Sequence, residues 1–187
     1  MEHFYRQIPG WFSFRQVYEE ALREAQDGAH FVEVGSWKGK SAAFMAVAIL
    51  RSGKKIRFDC VDTWKGSDEP KHRADPDVQA GTLYATFLRN IAPVRPNLKV
   101  VRKPSVSAST EYADGSLDFV FIDAAHDYQS VVDDIAAWWP KVKTGGTLAG
   151  DDFNKREVEQ AVRDSLPDGF EMIVGAGSGR QWRVRKC

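Results

Sequence analysis

Residues 31–41 read FVEVGSWKGKS, an apolar run that meets a glycine-rich loop and then a serine. The residues before Gly35 are of strand-forming type, and the segment 41–50 that follows the loop is strongly apolar with helical spacing. A strand, a loop and a helix in this order open a parallel α/β sheet. The same alternation continues along the chain, so the sequence predicts one α/β domain over residues 1–187, with a Rossmann-like, doubly wound, mostly parallel sheet.

Seven strands and five longer helices follow from the periodicity. The predicted strands cover residues 31–34, 56–61, 98–102, 117–122, 147–150, 170–174 and 180–185. Gly145 and Gly146 are expected to turn the chain into the fifth strand. In the last strand Trp182 and Val184 alternate with two arginines, which predicts an antiparallel strand with one face in solvent.

Two segments stand apart from this alternation. Residues 1–28 are predicted to form an N-terminal helical segment, opened by a capping box of Ser13 and Gln16. Its aromatic residues are expected to cover the sheet, although they would also suit an acceptor wall or a contact in a homodimer. Residues 63–81 are polar and contain Pro70 and Pro76. This stretch is too long for an ordinary connection and is predicted to be a lid or acceptor loop.

The bulk composition excludes several classes of partner. Twenty-six basic and twenty-six acidic side chains balance, so no overall field favours nucleic acid or an anionic membrane surface. Cys60 and Cys187 form neither a disulfide framework nor a metal-knuckle spacing. No signal peptide and no membrane span are apparent. A cytoplasmic protein with a small-molecule substrate is the expectation.

Acidic residues collect where the predicted strands end. Ligands of doubly wound sheets bind outside the carboxyl ends of the strands, so these positions are the candidate site. Glu33 closes the first strand, Asp62 follows the second, Asp123 follows the fourth, and Asp151 and Asp152 follow the fifth. Carboxylates on one edge repel each other, which predicts a cationic or hydroxyl-rich ligand there.

The first loop is close to two phosphate-binding motifs and matches neither. A Walker loop needs one more residue before Gly39-Lys40-Ser41, and a dinucleotide fingerprint needs a glycine where Trp37 stands. Glu33 in the turn disfavours a triphosphate but suits a ligand with an ammonium and a sulfonium. Asp62 is placed to accept hydrogen bonds from a ribose diol. A positively charged nucleoside is therefore favoured, with a P-loop-like nucleotide hydrolase as the alternative.

Four motifs carry a family resemblance over residues 31–153: EVGSWKGKS from residue 33, VDTW from residue 61, FIDAAHDY from residue 121 and GGTLAGDDF from residue 145. Together they resemble class I S-adenosylmethionine-dependent methyltransferases. More narrowly, the chain is similar to the small bacterial group related to macrocin-type and catechol O-methyltransferases. The resemblance implies cofactor contacts from Glu33, Gly35, Ser36, Gly39, Ser41, Asp62, Trp64, Ser105 and Asp123.

The metal-dependent branch of that family implies a second group of residues. By position, Asp123, Asp151 and Asp152 would bind Mg²⁺, an ion that prefers oxygen ligands. His126 stands where relatives place a base and would take the proton of an acceptor hydroxyl, with Asp123 beside it. The implied reaction is metal-assisted O-methylation of a small molecule. Metal-independent transfer to another acceptor atom stays open, as do a capping role for Asp152 and a structural role for His126.

Overall fold

The computed structural model describes residues 1–166, 170–174 and 180–187. Its strands are β1 (His30–Val34), β2 (Arg57–Asp62), β3 (Lys99–Arg102), β4 (Leu117–Ile122), β5 (Val142–Gly150), β6 (Glu171–Val174) and β7 (Arg180–Arg185). Its helices are α1 (Arg15–Glu24), α2 (Lys40–Ser52), α3 (Pro70–Arg73), α4 (Pro76–Gln79), α5 (Leu83–Asn90), α6 (Ser105–Ser109), α7 (Tyr128–Trp138) and α8 (Arg156–Ser165).

The strands form one seven-stranded sheet in the order β3-β2-β1-β4-β5-β7-β6. Strands β1 to β5 pair in parallel, whereas β7 runs antiparallel to both β5 and β6. The predicted doubly wound sheet with an antiparallel last strand is therefore confirmed. The strand order reverses between β1 and β4, and this switch point is where such sheets bind ligands.

Side chains of each strand alternate between two helical layers. Phe31 of β1 packs with α1, α2 and α5, whereas Val32 packs with α6, α7 and α8. A strand buried on both faces needs apolar residues at every position, which explains the continuous apolar runs in the sequence. Glu33 faces the same side as Phe31 because strand side chains have a period of two. Its carboxyl group is therefore directed under α1 rather than outward.

The glycine pair before β5 differs from the prediction. Gly145 and Gly146 lie inside β5, whose pairing with β4 shifts register between Leu117 and Phe119. The turn predicted at these glycines is therefore wrong, and they form a bulge within a longer strand. A Cβ atom on Gly146 would lie 3.0 Å from the backbone oxygen of Leu117, so the bulge depends on a residue without a side chain.

The start of α1 also differs from the prediction. Phe14 is the N-cap residue and no side chain caps the helix, so the capping box is wrong. The hydroxyl of Ser13 instead donates to Asp151 Oδ2 at 2.7 Å, and Gln16 pairs with Glu20 within the helix. Ser13 therefore forms a hydrogen bond to Asp151, far away in the sequence, instead of capping the helix.

The aromatic residues of the N-terminal segment pack on both the sheet and α2. Phe14 stacks on Phe121 of β4 with ring centres 4.2 Å apart, and Phe12 packs on Phe44 of α2. Trp11 is different, because 59% of its surface is exposed. Among the described residues, no helix is both long and apolar enough to cross a lipid bilayer.

Candidate functional site

A cleft of about 1180 Å³ opens at the carboxyl ends of β1, β2, β4 and β5. Residues 66–72 of the polar segment 63–81 line one wall, and we call residues 63–81 the lid. The lid contains α3 and α4, each opened by a proline in its first turn, where the fixed proline dihedral suits a helix start. The strand-end carboxylates Asp62, Asp123, Asp151 and Asp152 all line this cleft.

The first loop is held against β4 by close backbone packing. Gly35 has a φ of +90°, and a Cβ atom there would lie 1.9 Å from the backbone oxygen of Asp123. Only glycine meets both conditions, since other residues are strained at positive φ and would clash with the strand. Gly35 therefore lets the loop after β1 and the loop after β4 share one edge of the cleft.

Asp62 organises the same loop through its carboxylate. The amides of Ser36 and Trp37 both donate to Asp62 Oδ2 at 2.9 Å, and the amide of Trp64 donates to Oδ1 at 2.7 Å. A phosphate-binding loop would direct such amides at the phosphates, but here two of them are taken by a carboxylate. This geometry argues against the P-loop alternative. A carboxylate has about four acceptor positions, so a further hydrogen bond from a ligand hydroxyl remains available.

Glu33 is fully buried beneath the loop. The hydroxyl of Tyr18 on α1 donates to Glu33 Oε2 at 2.6 Å. Within the described part of the chain, Glu33 Oε1 and the neighbouring Ser36 Oγ have no hydrogen-bond partner. Burial raises the pKa of Glu33 to about 7. Two unpaired polar atoms of this kind are uncommon in a core and are typical of a ligand site.

Two residues expected at the cofactor have other surroundings. Trp64 is only 3% exposed, packs on Phe87 of α5, and donates its indole N–H to the backbone oxygen of Trp37. A Cβ atom on Gly39 would contact Ile91 and Phe87, so this glycine also faces the core. The ring of Trp64 thus supports the loop from beneath, and its contact with the adenine stays a prediction.

Ser105 lies in the cleft at the start of α6. Its hydroxyl oxygen accepts a hydrogen bond from the indole of Trp138 at 2.9 Å. The carboxyl group of Asp134, which is 5% exposed, lines the same end of the cleft, and burial raises its pKa to about 6. Ser36, Ser41 and Ser105 thus all reach the cleft wall, where hydroxyl groups can bind a polar ligand.

Asp123, His126 and Asp152 form a cluster at the floor of the cleft. One ligand atom from each lies within 4.8 Å of the others. His126 Nε2 is 2.7 Å from Asp152 Oδ2 and 3.6 Å from Asp123 Oδ1. Asp152 has a φ of +58°, so it has left the strand direction and its side chain can turn toward Asp123. The chain thus turns at Asp152, two residues after the end of β5.

Asp151 lies in the cleft, but both of its carboxylate oxygens accept hydrogen bonds from other side chains. Ser13 donates to one carboxylate oxygen and the side-chain amide of Gln181 to the other, both at 2.7 Å. The structure therefore brings Asp123 and Asp152 together with His126, and it holds Asp151 by hydrogen bonds to the N-terminal segment and β7. Asp152 does not cap the following helix, because Lys155 is the N-cap residue of α8 and no side chain caps that helix.

The cluster has strongly shifted acidities. Burial and the nearby Asp151 raise the pKa of Asp123 to about 6, although His126 opposes this. Burial alone would lower the pKa of His126, but the close carboxylates of Asp123 and Asp152 outweigh it and raise that pKa to about 10. Burial opposes ionisation of Asp152, yet His126 and Lys155 lower its pKa to about 2. At neutral pH His126 is therefore protonated as long as both carboxylates are charged.

Several residues of the cleft gave no signal in the sequence. Glu69 of the lid contacts His126 Nδ1 across the cleft. His72 of the lid stacks on Trp37 with ring centres 4.4 Å apart, and the exposed Trp11 lies 5.8 Å from His72. Tyr18 of α1 reaches Glu33 of β1 with its hydroxyl. These contacts join segments far apart in the chain, so no local spacing could have predicted them.

A sequence-family model described as a methyltransferase domain matches residues 32–153, more than half of the chain. A search of curated proteins by sequence found no match. Residues 32–153 contain the last three residues of β1, all of β2 to β5 and all five strand-end carboxylates of the site. The match therefore covers the cleft as well as the sheet.

Solved structures share the fold at low sequence identity. The O-methyltransferase NovP is 19% identical with a TM-score of 0.68, over 93% of this chain and 78% of NovP. An S-adenosylmethionine-dependent O-methyltransferase from Thermotoga maritima is 12% identical with a TM-score of 0.65, over 96% and 68% of the two chains. An rRNA methylase from Streptococcus thermophilus is 11% identical with a TM-score of 0.61, over 94% and 97%. The chain belongs to the methyltransferase-domain family and is a class I S-adenosylmethionine-dependent methyltransferase.

Proposed function

We propose that this methyltransferase transfers the methyl group to a hydroxyl oxygen of a small molecule, with a divalent cation at Asp123, His126 and Asp152. The observation that carries the proposal is this cluster, whose ligand atoms lie within 4.8 Å of one another at the floor of the cleft. Two of the structural neighbours are O-methyltransferases by name, which is consistent with this reaction class.

The donor set fits a divalent cation. His126 Nε2 is buried and makes no hydrogen bond of normal geometry to any described residue, although two carboxylates face it. Two carboxylate oxygens and one imidazole nitrogen suit Mg²⁺ or Mn²⁺, with water or the acceptor supplying further ligands. The same carboxylates keep the ring protonated when no cation is present, so a bound cation would displace the Nε2 proton to solvent and take its place between His126 and the two carboxylates. His126 would accept a proton only if their charge were neutralised.

The cofactor would occupy the cleft beside the first loop. Asp62 retains acceptor capacity for the ribose hydroxyls. Ser36 and Ser41 line the cleft and would contact the positively charged methionine end of the cofactor, with the unpaired oxygen of Glu33 behind them. Ser105 and Asp134 would lie near the adenine ring of the cofactor, on the side of the ribose that faces β3. These residues act by alignment, since displacement from a sulfonium needs no acid at the leaving group.

The acceptor would lie between the lid and the cluster. A cation bound there would lower the pKa of a coordinated hydroxyl, whose proton would pass to water, and would orient the oxygen toward the methyl group. Trp11, Trp37 and His72 provide aromatic ring faces on the lid side of the cleft. Such faces favour a planar or ring-shaped acceptor, such as a phenol or a sugar. The lid would exclude water from the acceptor during transfer.

A variant of Asp152 separates the metal role from cofactor binding. Asp152→Asn should reduce turnover by at least roughly 100-fold, because loss of a metal ligand weakens both metal binding and activation of the acceptor. The affinity for S-adenosylhomocysteine should stay within about twofold. Turnover is measured as S-adenosylhomocysteine release against a panel of phenols and sugars, with Mg²⁺ or with a chelator. Asp164→Asn, which changes an exposed carboxylate on α8 outside the cleft lining, is the matched control. Full activity after chelation, or a methylated nitrogen or carbon in the product, would contradict the proposal.

A further inference from the structure

The lid reaches the metal cluster through one side chain. The Glu69 Oε1 atom contacts His126 Nδ1 and lies 3.4 Å from Lys155 Nζ. The other oxygen lies 3.2 Å from Lys71 Nζ on the lid itself. Glu69 thus bridges the lid to the loop after β4 and to the start of α8.

This contact determines how the His126 ring is oriented. With Nδ1 directed at Glu69, the Nε2 atom is turned toward Asp152 and Asp123, at 2.7 and 3.6 Å. A carboxylate on the far nitrogen of a histidine keeps the proton on that nitrogen and leaves the other one free as a ligand. It also raises the basicity of the ligating nitrogen. Asp127, the acid next in sequence, does not do this, because its carboxylate caps α7 at Ser130.

We propose that Glu69 is a positioning residue that orients His126 as a cation ligand, so that lid closure and cation binding strengthen each other. The inference rests on the proposed metal site. Coupling of this kind is reciprocal: the factor by which the closed lid tightens the cation equals the factor by which the cation favours the closed lid.

The lid has a second attachment that does not involve Glu69. Lys38 Nζ lies 2.8 Å from both Asp75 and Asp77, and His72 stacks on Trp37. Removal of the Glu69 carboxylate should therefore leave α3 and α4 in place while the His126 ring loses its partner. A loss of cation affinity in such a variant would not be a consequence of an unfolded lid.

The experiment titrates Mn²⁺ into the full chain by electron paramagnetic resonance, with saturating S-adenosylhomocysteine. Glu69→Ala should bind Mn²⁺ roughly 10- to 100-fold more weakly than the unmodified chain, and Glu69→Gln, which keeps a hydrogen-bond acceptor, should lie between them. Asp68→Asn is the matched control. It removes the adjacent lid carboxylate, which lines the cleft and has no ion pair with any residue that the structure describes.

A second readout tests the reciprocal effect. Mn²⁺ should slow tryptic cleavage at Lys71 and Arg73 in the unmodified chain and in Asp68→Asn, but not in Glu69→Ala. Equal Mn²⁺ affinities in the Glu69 variants and the control would overturn this inference and leave the metal site standing. If the unmodified chain binds no Mn²⁺, the proposed metal site fails and the inference fails with it.

Discussion

Glu33 lowers the stability of the folded chain at neutral pH and at the same time lies at the proposed cofactor site. Its position in β1 directs the carboxyl group into the layer of α1, where Tyr18 donates a hydrogen bond. Burial of a carboxylate is unfavourable without a cation, so the folded chain holds a proton there that the unfolded chain would lose. The residue thus costs stability at neutral pH in the absence of cofactor. Because Glu33 lies under the first loop, a cationic ligand bound there would stabilise its ionised form and bind more tightly as a result.

A pH titration of stability tests this account of Glu33. Its pKa rises from 4.5 to about 7 on folding. Below the unfolded value both states are protonated, and between the two values only the folded state is, so the free energy of unfolding falls as pH rises through this window. The loss approaches about 3 kcal/mol at pH values above the folded pKa. Glu33→Gln cannot ionise, so relative to the unmodified chain it should gain that amount between pH 5 and 8.

The measurement is urea unfolding of both chains at several pH values without cofactor. Glu157→Gln, an exposed glutamate at the start of α8, is the control and should track the unmodified chain. Parallel curves for the Glu33 variant and the unmodified chain would show that Glu33 ionises normally in the folded state.

At the scale of elements, the lid is the part that local patterns described least well. Its length and polarity predict a lid or acceptor loop, and no helix is predicted within it. The structure instead uses each proline to begin one turn of helix. The attachment comes from Lys38, a buried lysine in the first loop that pairs with Asp75 and Asp77. Nothing in the spacing of these residues predicts that pairing.

Removal of the Lys38 charge should release the lid. Lys38→Met leaves Asp75 and Asp77 without their cation, and hydrogen bonds to charged groups contribute about 1.5–3 kcal/mol each. Tryptic cleavage at Lys65, Lys71 or Arg73 should therefore become at least roughly tenfold faster, while urea unfolding of the whole chain changes little. Lys141→Met, which removes a cation paired with the exposed Asp114, is the control. Unchanged cleavage in Lys38→Met would mean that other contacts hold the lid.

At the scale of the whole molecule, the net charge separates two kinds of acceptor. One structural neighbour is named an rRNA methylase, yet this chain carries equal numbers of acidic and basic side chains, 26 of each. RNA binding draws mainly on phosphate contacts by clustered lysine and arginine, and the cleft floor here is acidic. These charges support the proposed small-molecule acceptor over an RNA acceptor.

Binding to RNA should be weak. In an anisotropy titration with a labelled rRNA hairpin at physiological ionic strength, we expect an apparent dissociation constant no tighter than about 10⁻⁴ M, the weak end of non-specific binding. The result should change little with salt, because few counterions are released. Micromolar binding with a steep salt dependence would instead favour an RNA acceptor over a small molecule.

The sequence by itself determined the sheet and the edge at which the site lies. Short apolar runs rich in β-branched and aromatic residues predict strands buried on both faces, and the carboxyl ends of parallel strands meet at one edge. Glu33, Asp62, Asp123 and the pair Asp151 and Asp152 were therefore predictable as one group. The motifs that contain these residues, in that order along the chain, also indicated the methyltransferase family.

Only the tertiary structure decided how these carboxylates are used. Trp37, Trp64 and Asp152 have positive φ values, which local periodicity does not encode, and each redirects the chain just after a strand. For this reason Asp62 holds the first loop, Asp151 pairs with Ser13, and Asp152 meets His126. Glu69 reaches that histidine across 57 residues of sequence. Contacts between loops depend on where the packed strands and helices place their ends, and that information exists only once the core has formed.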